Sequence, residues 1–240
     1  MKFEKNGFNR ENKKEQISPK EKELAKEIEQ LPLLNVDKMN LLLVWRGLKP
    51  ATDINFIFKE WRPGYPEPLL SPGRKKVHIE KLLQLLGKTG LSAVAEKEIR
   101  SEPEFIVENN IKGEINGTES QRIFISQNIE TAEKLSKNWI CEEDEMNENL
   151  GQLFGFPQTA IEAYTKYRED GSRDENEFVI KKNELPEDIR NKDYIAFARF
   201  KLSKENWQEE LEIAKKWAAE IQKLSPALYA EIVRDYRQNS

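Results

Sequence analysis

The sequence predicts an α+β protein, a small and mostly antiparallel sheet flanked by helices, with helical N- and C-terminal parts. Three observations predict it. Amphipathic runs at helical spacing occupy both ends of the chain. Three runs of strand character, "LSAVAEKEI", "PEFIVEN" and "SQRIFIS", lie close together between residues 91 and 126. The segment between the last two, "NNIKGEINGTE", is rich in turn residues.

Residues 1–17 are charged and aperiodic, and are expected to form a disordered tail. Ser18-Pro19-Lys20-Glu21 reads as a capping box with proline at the first helical position. The helix it opens carries Leu24, Ile28 and Leu31 on one face and stops at Pro32. A second helix is expected over about 36–47; its centre is apolar nearly all round, which predicts burial. "RPGYPEPLLSPG", residues 62–73, reads as a structured loop rather than a helix or strand. "KKVHIEKLLQLLG" returns to helical spacing and is expected to end at Gly87. The strand candidates follow, and then the helix "NIETAEKLSKNW". Two further amphipathic runs meet at Gly155-Phe156-Pro157, where glycine suits a helix C-terminus and proline the next N-terminus. Phe156 can then staple against Ala160 or Ile161.

Beyond this corner, "EFVIKK" is a short strand candidate. "DYIAFARFKL" is read as the last clear strand, with Tyr194, Ala196, Ala198 and Phe200 alternating against Ile195, Phe197 and Arg199. Ser203 is expected to cap a long helix with a stripe of Trp207, Leu211, Ala214, Ala218 and Ile221. Ser225-Pro226 breaks that helix and starts another, bearing Leu228, Tyr229, Ile232 and Tyr236. The aromatic-rich stripe of these last helices suits a core or a dimer seam. The organisation expected is a tail (1–17), a helical part with a basic loop (18–90) and an α+β part (91–240), or one compact domain over 18–240.

Composition bounds function. The 240 residues are 38% hydrophobic and 34% charged, with mean hydropathy −0.78. Five tryptophans and eleven phenylalanines nevertheless supply a core. Acidic and basic residues nearly balance, 43 against 39, which argues against a general nucleic-acid coat. One cysteine, Cys141, and one histidine, His78, allow neither an intrachain disulfide nor a Cys/His zinc site, which needs about four ligands. The expectation is therefore no metal of that kind and no cofactor. No apolar run approaches the roughly 20 residues of a membrane span, and the first residues carry no apolar signal core. A cytoplasmic protein away from membranes is expected.

The charge is unevenly placed. Residues 46–88 carry net +5 and residues 141–188 net −9. Within the basic region, "SPGRKK" stands directly before a helix, where free N–H groups and the dipole favour anions. Ser71 could donate a hydroxyl and Gly73 permit close backbone approach. Arg74 could grip two oxygens and Lys75 add point charge. Arg46, Lys49 and Arg62 lie upstream among Trp45, Phe58, Trp61 and Tyr65, a mixture that could also stack on a nucleotide or a single strand. The competing reading of these residues is an exposed connection and an ordinary core with a cationic rim. No Walker or Rossmann glycine pattern is present.

The run "CEEDE", residues 141–145, has the carboxylates for Mg²⁺ or Ca²⁺, yet fits no EF-hand spacing and equally suits a helix's first turn. Acidic neighbours make Cys141 a poorer nucleophile. No Gly-x-Ser-x-Gly elbow exists to pair with His78.

The acidic helix followed by Gly151-x-Leu153-x-Gly155-Phe156-Pro157 resembles an uncharacterised prokaryotic family, the domain of unknown function numbered four-eight-three. The resemblance covers about residues 120–220 and extends to "AFARFKLSKENWQEELEIAKKW", a strand turning into a helix. The family pattern has Gly-Tyr-Pro followed by a cysteine pair, and further cysteines in the later turn. Here Thr159 and Ala160 stand at the pair, and the turn has no cysteine. The family brings no established activity. Any metal or redox chemistry its cysteines support lacks its means in this chain, which leaves the Gly-Phe-Pro segment a structural corner.

These readings converge on a non-catalytic binding protein for an anionic small molecule or a partner protein, acting through the 62–76 loop. The alternatives are a carboxylate-based, Mg²⁺-dependent enzyme working near 142–148 and Glu162, and binding of RNA or a nucleotide.

Overall fold

A computed structural model describes residues 17–60, 69–70, 76–96, 99–100, 105–108, 111–114, 118–140, 145–169 and 178–238. Its architecture is α+β. The main sheet is built on two long antiparallel strands, β1 (Ala51–Glu60) and β7 (Thr118–Ser126), paired from Ala51↔Ser126 to Glu60↔Thr118 with one register shift between Ile57 and Lys59. Short strands complete it: β2 (Leu69–Leu70) beside β1, and β3 (Ser92–Ala95) and β4 (Ile99–Arg100) beside β7, all antiparallel. Two small ribbons stand apart, β5 (Phe105–Glu108) with β6 (Ile111–Glu114) and β8 (Val179–Ile180) with β9 (Leu202–Ser203).

Strand alternation gives the sheet two apolar faces, and each has its own core. Ile54, Phe56, Ile123 and Ile125 point into the larger core. There they meet α2 (Asn35–Trp45), which also packs on α8 (Trp207–Leu224) and α9 (Pro226–Gln238). The expected burial of α2 holds: Met39 and Leu41–Val44 are all inaccessible. The opposite face puts Ala51 and Phe124 against α4 (Ile129–Ile140) and α5 (Glu145–Leu153), through Leu135, Trp139, Leu153 and Phe154. Cross-links to surrounding helices fix α2. Asn35 Nδ2 donates to Asp235 of α9 at 2.8 Å, and Arg46 just past α2 donates to Glu220 of α8 at 2.7 Å. Arg46 also pairs with Glu21 of α1 (Pro19–Glu29), whose predicted capping box at Ser18 is formed. No described helix is long and apolar enough to cross a membrane.

Several elements differ from the sequence expectations. The "DYIAFARFKL" segment is a 3₁₀ turn over Asp193–Phe197 followed by only the two residues of β9. Residues 195–198 are all buried, so both sides of the segment are enclosed and its apparent period of two has no exposed face to define. The segment Ala51–Glu60, not among the expected strands, is the central strand β1; Ile54 and Phe56 alternate with Asp53 and Asn55, the period-two pattern of a strand with one buried face. Strand β6 falls inside the turn-rich stretch. The helix α3 (Lys76–Thr89) runs past Gly87, and Gly90, with φ +73°, takes the left-handed position instead. Ser203 sits one turn ahead of α8, its hydroxyl accepting from the Asn206 N–H at 3.0 Å; the helix itself begins at Trp207.

Candidate functional site

A cavity of about 810 Å³ opens between the segment after β8 and helix α9. It forms because β8 hands the chain to a succession of short turns. A 3₁₀ turn covers Lys182–Glu184, closed by Glu184 Oε2 accepting the Lys181 N–H at 3.0 Å. The single-turn helix α7 (Glu187–Arg190) follows, and Arg190 Nη1 donates back to the Asn183 carbonyl at 3.0 Å. These turns project Lys182, Arg190 and Lys192 around a space that α9 closes with Val233, Tyr236 and Arg237. Four cationic side chains thus line one cavity, with Asn183 and Asn191 as neutral donors.

The one carboxylate in this lining, Asp193, is already engaged. It accepts from Arg237 at 2.6 Å and lies 3.5 Å from the Tyr229 hydroxyl. Lys182 is the deepest cation. Its Nζ donates to the Ile195 carbonyl at 3.2 Å and stands 5.2 Å from the Tyr236 ring centre. Burial, then repulsion from Arg199, lowers its pKa to about 8. The cleft therefore offers several donors to an anion, one of which loses its proton just above neutrality.

A second concavity, about 350 Å³, lies at the Gly-Phe-Pro corner. Helix α5 ends there in a Schellman motif: the Gly155 N–H donates to Gln152 O and the Phe156 N–H to Gly151 O, both at 3.0 Å. Gly155 has φ +70°, and a Cβ on it would lie 2.9 Å from Pro50 Cδ. At Gly151 a Cβ would lie 2.7 Å from Ile161 Cγ1, so α5 and α6 (Gln158–Glu169) approach over a bare backbone. Both glycines of the motif are therefore required by close packing. The rings then form a continuous series, Phe124–Trp139–Phe154–Phe156–Phe200–Trp217, with neighbouring centroids 5.6 to 6.4 Å apart. Phe156 joins this series on Phe154 and Phe200, which is its principal packing.

Behind these rings lies Lys49, only 3% exposed. Its Nζ donates to Asn40 Oδ1 at 2.9 Å and stands 5.0, 5.5 and 5.9 Å from the Trp217, Phe156 and Phe154 ring centres. Burial lowers its pKa to about 7, with Asp53 opposing and Arg199 reinforcing the shift. The negative ring faces favour the cation.

The sequence-predicted residues are distributed differently. Ser71, Gly73, Arg74, Lys75 and Arg62 lie outside the described residues, as do Cys141 and residues 142–144 of the acidic run. Arg46 is enclosed between Glu21 and Glu220, an arrangement that holds three helices together. Lys49 is buried core rather than part of a surface basic stripe. His78 is half-buried on α3. Glu162 is exposed and accepts from Gln158 Nε2 at 3.2 Å. Among the described residues no three His, Cys, Asp or Glu side chains gather as a metal site would require.

Thr159 has a structural partner: its hydroxyl donates to Glu210 Oε1 at 2.7 Å, while Glu210 Oε2 accepts the Ser203 N–H at 2.7 Å. Glu210, 1% exposed, ties the Gly-Phe-Pro segment to the turn before α8. The basic cleft itself escaped sequence reading because Lys181 and Lys182 close a stretch of strongly negative net charge. The local run Lys181-Lys182 with Arg190 and Lys192 is the signal that could have found it. Comparison of the chain with known protein families, with curated proteins and with solved structures returns no match.

Proposed function

We propose that the protein binds an anionic small molecule, of the phosphorylated type, in the cleft between the β8–α7 turns and α9. One observation carries this reading: Lys182, Arg190, Lys192 and Arg237 line a single cavity whose only carboxylate, among the described lining residues, is paired within the wall. A charge-assisted hydrogen bond contributes about 1.5–3 kcal/mol, so two or three such contacts give useful affinity even where solvent screens them. Tyr236 and Val233 add an apolar side against which an organic body can rest. Anion binding is also the class that the uneven charge suggests; the cleft supplies a second location for it, remote in sequence from the 62–76 loop.

The test is calorimetric titration of the full chain with inorganic pyrophosphate and with a nucleoside diphosphate. Lys192→Ala combined with Arg190→Ala is expected to weaken binding by about ten-fold or more, roughly one charged hydrogen bond. Affinity should also fall as pH rises through about 8, where Lys182 loses its proton. Equal affinity in parent and double variant would remove the cleft from consideration. Loss on Arg74→Ala/Lys75→Ala instead would return the function to the basic loop.

A further inference from the structure

We infer that the pocket at the Gly-Phe-Pro corner is a separate binding site for an amphipathic carboxylate, its apolar body among the rings and its carboxylate on Arg199. The inference stands independently of the basic cleft. The pocket is lined by Leu150 of α5, by Ile161 and Tyr164 of α6, and by the rings of Phe154, Phe156 and Phe200. Its volume of about 350 Å³ falls in the range of small-ligand pockets, which are mainly apolar with a few placed polar groups. Here the charged groups at the lining are Arg199 and Lys201, both cationic, and no carboxylate lines the pocket among the described residues.

Arg199 sets the ligand class. It lines the pocket partly withdrawn from water: burial lowers its pKa, with Asp235 opposing the shift at longer range, and it makes no salt bridge among the described residues. It also repels both Lys49, behind the rings, and Lys182, in the basic cleft. An anion seated on Arg199 relieves this repulsion, and the guanidinium fork matches the two oxygens of a carboxylate. An inorganic anion would leave the ring-lined space unfilled. A neutral hydrocarbon would add nothing to the distant attraction of Asp235 for Arg199. An apolar body with one terminal carboxylate satisfies both.

The probe is sodium decanoate, titrated calorimetrically into the full chain with 1-decanol as the uncharged comparison. Saturable one-to-one binding of decanoate is expected, weakened about ten-fold or more by Arg199→Gln and to a similar degree by replacing the carboxylate with the alcohol. Leu150→Trp, which fills the pocket from a half-buried position on α5, should abolish it. A measurement on the unaltered chain guards against misfolded variants: decanoate should slow modification of Arg199 by phenylglyoxal, followed by peptide mass spectrometry. Absence of saturable binding, parent-like affinity in both variants, or unprotected Arg199 would each overturn the assignment. Loss of decanoate binding in Lys192→Ala/Arg190→Ala, with Arg199→Gln unaffected, would overturn it in favour of the basic cleft.

Discussion

Lys49, behind the aromatic pocket, is withdrawn from water against three ring faces and one amide oxygen, whereas Arg190, Lys192 and Arg237 stand exposed around the basic cleft. Both regions concentrate positive charge, and both include a lysine whose pKa burial lowers. The difference lies in what compensates the charge. At Lys49 the compensation is internal and leaves little room for anything else. In the cleft Arg190 and Lys192 keep their water and Arg237 is paired with Asp193 at the surface, so only Lys182 carries a burial cost and an arriving anion meets several cations at once. Buried charge of the first kind acts on stability and its pH dependence; clustered, solvated charge of the second kind acts on binding. Arg46, three residues before Lys49, shows a third arrangement, full pairing with two carboxylates on different helices.

The largest effect that would sharpen this contrast belongs to Lys49. Its pKa is lowered from 10.5 to about 7, so between those values the folded chain binds fewer protons than the unfolded one. Stability therefore rises with pH through that window, and the penalty is complete below about pH 7. At about 1.4 kcal/mol per pKa unit the penalty reaches at most ~5 kcal/mol, less whatever the ring faces return. Lys49→Met should be more stable than the parent at about pH 6, with the advantage shrinking toward about pH 10. Urea unfolding at several pH values measures it, and an advantage independent of pH would show that Lys49 is not the titrating group.

Next in size come the two glycines of the corner. Gly151→Ala drives a methyl into Ile161 and should cost about 1–3 kcal/mol by overpacking. Gly155→Ala combines a left-handed backbone, about 1–2 kcal/mol for a residue with a Cβ, with a contact on Pro50. Either cost should appear as a lower urea midpoint with an unchanged slope. If both substitutions are neutral, the corner is looser than its contacts require, and the rings behind it need not hold Lys49 in place.

The smallest stability effect is expected in the cleft. Lys192→Ala and Arg190→Ala remove exposed side chains and should change stability by no more than about 0.5 kcal/mol, although they weaken anion binding. A large loss of stability from either would mean that the cleft cations serve the fold, as Arg46 does, and the contrast between the regions would collapse.

Much of the framework was legible along the chain, because the signals are local. The Ser18 capping box, the break at Pro32, the enclosed apolar run of α2 and the Ser225-Pro226 restart each depend on neighbours within one or two turns. The Gly155-Phe156-Pro157 corner is of the same kind, since glycine's freedom at positive φ and proline's poor fit within a helix act on the backbone itself. Signals that depend on distant partners were read less well. The Tyr194–Phe200 alternation has the period of a strand, but residues 195–198 are all buried, so the period defines no solvent face, and the segment opens as a 3₁₀ turn over Asp193–Phe197. Strand β1 carries a local signal in the Asp53-Ile54-Asn55-Phe56 alternation, but its central place in the sheet rests on pairing with β7, which sets Ile123 and Ile125 beside its apolar face.

The sites divide along the same line. The sequence by itself determined an α+β chain with balanced but uneven charge, no disulfide and a Gly-Phe-Pro corner, because composition and backbone preference are properties of the residues alone. Only the tertiary structure decided that Lys49 is buried among rings contributed by α8 and the corner, that Arg46 is spent on Glu21 and Glu220, and that Arg237 closes a cavity opposite Lys192. Those outcomes rest on distances between residues far apart in the chain, and electrostatic and ring interactions fall off too steeply with distance to be assigned before the fold brings the groups together.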